Sequence, residues 1–171
     1  MDKETWQFIN TFAPWLSALG TISAVIVSLY LATQDRRVRL KVHASVQVLI
    51  EPGRSREFIG VSAVNIGRRE TTITGIGWKI GPIRKKSFIQ LGFSPESAQL
   101  PVRLSDGQSA MFLIPLENTD NHWVEGMREQ LGKLLWLKIY FMEAQVVTSV
   151  GKSFTVRIDR NIRNLLRGGK D

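Results

Sequence analysis

Cysteine is absent from the 171 residues, which excludes a disulfide framework, a thiolate metal site and a thiol nucleophile. Histidine is scarce: His43 falls in a strand-like stretch and His122 at the start of a helical one. Neither has a partner at metal-ligand spacing, so both read as structural and no metal site is expected. No Gly-x-Ser-x-Gly elbow, kinase motif set or P-loop occurs. The segment Gly75-Ile76-Gly77-Trp78-Lys79-Ile80-Gly81 has glycines enough for a phosphate loop, but it fails the required spacings and lies inside a strand pattern. The carboxylates are scattered. The expectation is a protein that is not an enzyme and carries no cofactor.

Charge is also missing from one long window, Glu4 to Asp35. Within it, residues 12–32 read FAPWLSALGTISAVIVSLYLA, which matches the roughly 20 apolar residues of a bilayer-spanning helix. Trp6 and Trp15 lie toward one end and Tyr30 toward the other, as amphipathic rings do at headgroup depth. Arg36, Arg37, Arg39 and Lys41 follow at once, while the N-terminal tip is nearly neutral. That asymmetry predicts a single pass, with the N-terminus outside and the C-terminal domain cytoplasmic. A cleaved signal peptide is the competing reading. It calls for positive charge before the apolar run and a small-x-small site after it, whereas the exit here is Ala32-Thr33-Gln34-Asp35-Arg36.

At about 100° per residue, Ser17, Thr21, Ala24 and Ser28 share one narrow sector, extended by Asn10 and Ala13 at one end and Asp35 at the other. Trp15, Leu19, Ile22, Ile26 and Leu29 take the opposite sector. Small residues let helix backbones approach, and hydroxyls can bond across the contact. The face predicts self-association. It leaves two outcomes open: four or more subunits around a narrow hydrated path with Asp35 at a cation-favouring mouth, or a dry dimer or trimer with intrahelical hydroxyl bonds.

The remainder is basic. Removing Lys3, Asp2, Glu4 and Asp35 from the totals of 23 basic and 15 acidic residues leaves 22 and 12 from Arg36 onward, a net of +10. Such a field attracts phosphate-rich ligands, nucleic acid or anionic lipid, and it also serves plain solubility. The domain division is 1–35 for the tip and spanning helix and 36–171 for the basic domain. From Leu40 the apolar period becomes alternating through Val42, Ala44, Val46, Val48 and Ile50. Further strands are expected over 58–66, 71–80, 88–91, 101–104, 110–116, 134–142 and 153–158. Two short helices are expected as well. One is capped by Asp120 or Asn121 and runs through Trp123, Val124, Met127 and Leu131 to Gly132. The other is capped by Asp159, with Ile162, Leu165 and Leu166 inward. The fold class is one transmembrane helix followed by a β-sandwich-like all-β domain with two short helices.

Three basic groups are the candidate anionic-ligand site: Arg54 with Arg56, Arg68 with Arg69, and Arg84 with Lys85 and Lys86. Arg54, Arg56, Lys85 and Lys86 are expected to converge at one end of the sandwich, with Trp78 or Phe88 close enough to stack on a base. Weak sites would multiply around a symmetric bundle. The alternative is a set of solvated basic loops.

The order of parts resembles a group of small bacterial single-pass proteins. The stretches that carry the likeness are Trp15 to Leu31 with Arg36-Arg37, then Ala63-Val64-Asn65-Ile66-Gly67-Arg68-Arg69 leading into Thr72-Ile73-Thr74-Gly75-Ile76-Gly77. Later come Leu100-Pro101-Val102-Arg103-Leu104 and Val150-Gly151-Lys152-Ser153-Phe154. Proteins of this plan resemble membrane effector subunits of anti-phage operons, the Hailong type above all. The resemblance implies a channel whose soluble crown binds short single-stranded DNA and is held closed by it. It also implies an operon-encoded enzyme that makes a nucleotide or oligonucleotide signal. A membrane-tethered module without a pore, recruiting a protein through a sheet edge, is the alternative.

Overall fold

The uncharged window forms a single helix, α1 (Lys3–Gln34, 32 residues), in a computed structural model that describes residues 3–34, 37–83, 85–116 and 123–168. For residues 3–10, 34 and 133 the backbone alone is described. Of α1, the 23 residues Thr11–Thr33 are long and apolar enough to cross a membrane. Pro14 lies inside the helix and has no N–H to offer the carbonyl of Asn10. The chain separates into two compact units, Met1–Arg37 and Val38–Asp171.

In the second unit, β1 (Leu40–Glu51) and β2 (Arg54–Asn65) form a long antiparallel hairpin whose register runs from Leu40↔Asn65 to Glu51↔Arg54. Pro52 and Gly53 turn it: proline presets the first turn dihedral and Gly53 supplies the positive φ, 78°. β6 (Ser109–Pro115) lies on the other side of β2, giving the order β1-β2-β6. A five-stranded antiparallel sheet has the order β4-β3-β7-β8, with β5 (Val102–Leu104) also paired to β3. Its other members are β3 (Thr71–Ile80), β4 (Lys86–Ile89), β7 (Glu143–Thr148) and β8 (Ser153–Arg157). One buried cluster draws on both sheets, with Ile59, Val61, Phe112 and Ile114 from the first and Ile76, Trp78, Ala144 and Val146 from the second.

The glycine-rich segment is a strand, for two physical reasons. In β3, Thr71 and Ile73 are buried, and then Ile76, Trp78 and Ile80. The buried phase changes where the β3–β7 register shifts between Ile73 and Gly75, as a bulge requires. At Gly77 a Cβ would lie 2.2 Å from the carbonyl oxygen of Phe88, so only a bare Cα lets β4 come this close.

The expected strand over 134–142 is not formed. Leu131 leads through a 3-10 turn at Gly132–Leu134 into a second short helix, α3 (Leu135–Tyr140), after α2 (Trp123–Leu131). Short apolar runs fit either state, and periodicity cannot arbitrate. Here Ile139 is buried while Trp136 and Tyr140 remain at least half exposed. The strand comes afterwards as β7, whose alternating buried residues Ala144, Val146 and Thr148 lie between β3 and β8.

α4 (Arg160–Arg167) buries Ile162 and Leu166 and ends at Gly168 with φ 88°. Asp159 occupies its N-cap position but makes no side-chain cap hydrogen bond. Its carboxylate lies 3.4 Å from His43 Nε2 on β1. The other end of α4 is closed from outside. Arg128 on α2 donates from Nε to the Leu166 carbonyl (2.9 Å), an acceptor that a helix end leaves open, and from Nη2 to the Leu165 carbonyl (2.8 Å), which also accepts from the Gly168 N–H. The expected caps Asp120 and Asn121, with His122, lie outside the described residues.

Candidate functional site

On α1, Ser17, Thr21, Ala24 and Ser28 are exposed on the single chain. The Thr21 hydroxyl donates to the Ser17 carbonyl at 2.9 Å, so its proton is spent within the helix and its lone pairs point outward as acceptors. Thr33 does the same toward Leu29 and Tyr30, at 2.8 and 3.0 Å. The Asn10 side chain and Asp35 lie outside the described residues.

In the β domain the expected cations fall into separate places. Arg54 and Arg56 open β2 and line a cleft of roughly 430 Å³ with Phe58, Phe93, Pro95 and Pro115. Lys86 opens β4 and lines another of roughly 410 Å³ with Ile80, Pro82, Ile83, Phe88, Gln130 and Lys138. The two clefts share no lining residue. Arg68 and Arg69 lie in the turn after Asn65, at the opposite end of β2 from Arg54 and Arg56. Arg84 lies outside the described residues.

Arg56 and Lys85 are engaged by carboxylates. Arg56 Nη2 contacts Glu51 at 2.7 Å and Glu96 at 2.8 Å, and the guanidinium lies 5.5 Å from the centroid of the Phe58 ring. Lys85 Nζ lies 2.6 Å from Glu143. Arg54 and Lys86 are exposed.

Trp78 does not serve as a stacking platform. It is 1% exposed, and its Nε1–H donates to Gln90 Oε1 at 2.9 Å. Trp123 Nε1–H donates to the same oxygen, also at 2.9 Å, and the two rings lie 5.1 Å apart at an interplanar angle of 60°. A strand of alternating apolar residues carries its large side chains inward, and Trp78 follows Ile76 in that phase. Phe88 is half-buried at the second cleft. The Gln90 hub and the Arg128 clamp had no motif to announce them, because each joins residues far apart in sequence.

The Arg56 cluster gives a pH dependence. The Glu96 carboxyl is held down to about 2 from an ordinary 4.5, first by the Ser94 hydroxyl, then by its own backbone N–H and by Arg56. Arg56 is raised, chiefly by Glu51 and then Glu96. A depressed carboxyl stabilises the folded state above its unfolded pKa and loses that contribution as pH falls through the folded one. The tie between Arg56 and the 94–97 loop is therefore intact at neutral pH and loosens between about 4.5 and about 2. The Ser97 amide, which donates to the Ser94 carbonyl at 2.9 Å, checks this by hydrogen exchange. Its protection should fall across that window, and Glu96→Gln should flatten the fall.

Among the described residues no three His, Asp or Glu side chains come together as a metal site. No family model matches the chain, and no curated protein matches it. Among solved structures, the X-ray structure of Northeast Structural Genomics Consortium target SoR45 is similar at a TM-score of 0.27 and 12% identity, over 73% of this chain and 84% of that one. A likeness of that size carries no argument about activity.

Proposed function

We propose that the chain is the subunit of a homo-oligomeric inner-membrane channel, its N-terminus outside, whose cytoplasmic β domain binds an anionic ligand and so biases the helix bundle. The observation that carries this reading is the sorting of α1. A span of 23 residues keeps Ser17, Thr21, Ala24 and Ser28 on one face and Trp15, Leu19, Ile22, Ile26 and Leu29 on the other. A lone anchor in lipid gains nothing from that arrangement, whereas packed helices do. Ligand binding acts on such a bundle only through different affinities for its open and closed forms. An oligonucleotide is the ligand class proposed, with a signal-making enzyme as its source, in line with the resemblance to anti-phage effectors. Arg54 and Lys86 are the exposed cations of the two clefts.

The second reading is a membrane-tethered module without a pore. It is favoured by the engagement of Arg56 and Lys85 by carboxylates and by the Thr21 hydroxyl, whose proton goes to the Ser17 carbonyl of its own helix. The mass of the detergent-solubilised particle separates the two, read together with the absorbance ratio that reports co-purifying nucleic acid. Four or more subunits are expected, and conductance in planar bilayers should fall to baseline in Thr21→Leu. A monomer or dimer that still captures a protein partner establishes the tether.

A further inference from the structure

The chain enters β1 between two turns that come from distant parts of the sequence. The Ile66 N–H, in the β2–β3 turn, donates to the Arg39 carbonyl at 3.1 Å. Lys152 Nζ, in the β7–β8 turn, donates to the Val38 carbonyl at 3.2 Å. The Asn65 side chain holds the Arg69 carbonyl at 2.9 Å, which fixes the path of the first turn. At this one end of the domain Arg39, Arg68, Arg69 and Lys152 are all exposed. So are two apolar side chains, Ile66 at 55% and Val150 at 56%. Of the described acidic residues, Glu70 pairs with Arg103, and Asp106 lies in the turn tied to Asn65 through Gly107.

Chain length limits where this end can be. Val38 follows Gln34, the last residue of α1, by four positions, and an extended chain gains at most about 3.6 Å per residue. The entry to β1 is therefore held within roughly 14 Å of the end of the apolar helix. For a spanning helix that keeps the entry within or just beyond the headgroup layer.

We propose that this end of the domain is a second membrane contact that takes anionic phospholipid headgroups. Arg39, Arg68, Arg69 and Lys152 meet the phosphates, and Ile66 and Val150 reach the acyl boundary. Guanidinium and ammonium groups on flexible stems suit phosphate oxygens at such a surface, and isolated apolar residues between them add interfacial burial. Arg68 and Arg69 thereby move from the ligand site to the lipid site. The proposal rests on membrane insertion of α1 and is independent of a pore or of an oligonucleotide.

The absence of cysteine makes the test direct, because Val150→Cys carries the one thiol of the chain. The full-length variant, bearing a polarity-sensitive fluorophore there, is reconstituted into phosphatidylcholine vesicles with or without brominated phosphatidylglycerol. Flotation with neutral vesicles first tests insertion itself, and failure to float removes the membrane reading and this proposal with it. Given flotation, quenching is expected in the anionic vesicles. It should be lost at about 0.5 M salt, where screening shortens to about 4 Å. Arg68→Glu with Arg69→Glu should weaken the contact on the order of tenfold or more. Equal fluorescence in neutral and anionic vesicles, with wild-type cations in place, overturns the proposal. So does a response to a single-stranded oligonucleotide in neutral vesicles, which would assign these cations to nucleic acid.

Discussion

Trp78→Ala is expected to destabilise the β domain by about 3–5 kcal/mol, the usual cost of emptying a large aromatic site in a packed core. The side chain is 1% exposed and belongs to the cluster shared by both sheets. Its loss also removes one of the two indole donors on Gln90 Oε1 and the ring against which Trp123 tilts. In thermal unfolding of the full-length protein in detergent, the midpoint of the β domain should drop by about 10–20 °C. Trp78→Phe should cost less, since it keeps most of the volume and forfeits the N–H. The result separates two roles for this residue. A ring that stacks on a ligand base would change ligand affinity and leave the midpoint alone. An unchanged midpoint with weakened anion binding would reinstate Trp78 as part of a ligand site.

Asn65→Ala ranks second, at about 2–4 kcal/mol, because it orphans several buried backbone groups at once. Asn65 is fully buried. Its Nδ2 donates to the carbonyls of Arg69 (2.9 Å) and Leu104 (3.0 Å), and its Oδ1 accepts from the Gly67 N–H (3.0 Å). The main chain of Asn65 continues the pattern, donating to Gln108 and accepting from Gly107. The side chain thus ties the β2–β3 turn to the end of β5, and the main chain of the same residue ties it to the loop that joins β5 and β6. Asn65→Asp is the informative companion. It keeps an acceptor for Gly67 but sets oxygen against two carbonyls, so it should not rescue the alanine loss. Unfolding midpoints check both, and a rescue by aspartate would show that the acceptor, rather than the two donated bonds, holds the turn.

Asn65 also shows how far the sequence could be read. The pattern of two expected strands, 58–66 and 71–80, left a connection between them, and a connection is there. Nothing in the pattern said that the amide would reach Leu104, because that carbonyl arrives from β5 through folding. The same division runs through the chain. The α1 span was legible from its missing charges. β3 was legible from its β-branched residues, and its observed limits, Thr71–Ile80, are the expected ones. α2 was legible from its periodicity and its glycine stop. Residues 134–142 were not, because an apolar run of that length fits a helix or a strand equally well until packing decides. For the candidate site, the sequence located the cations but not their neighbours. Glu51, Glu96 and Glu143 stand beside Arg56 and Lys85 through hairpin register and loop packing, which charge counting does not contain. Lys152 is the converse case, a residue without a motif that the fold brings to Val38.

The closure of β1 has a consequence for how the protein is made. Ala44 leaves the ribosome early, yet its carbonyl accepts from the N–H of Asp159, and Val38 waits for Lys152. At ordinary synthesis rates the residues between Ala44 and Asp159 take roughly 6–23 s to add. The apolar helix α1, in contrast, precedes β1 and is made before any of these partners. If α1 inserts as proposed, insertion precedes closure, and the β domain folds as a tethered chain. Under that proposal its nascent strands meet sister copies at a local concentration set by the plane of the bilayer rather than by the volume of the cell.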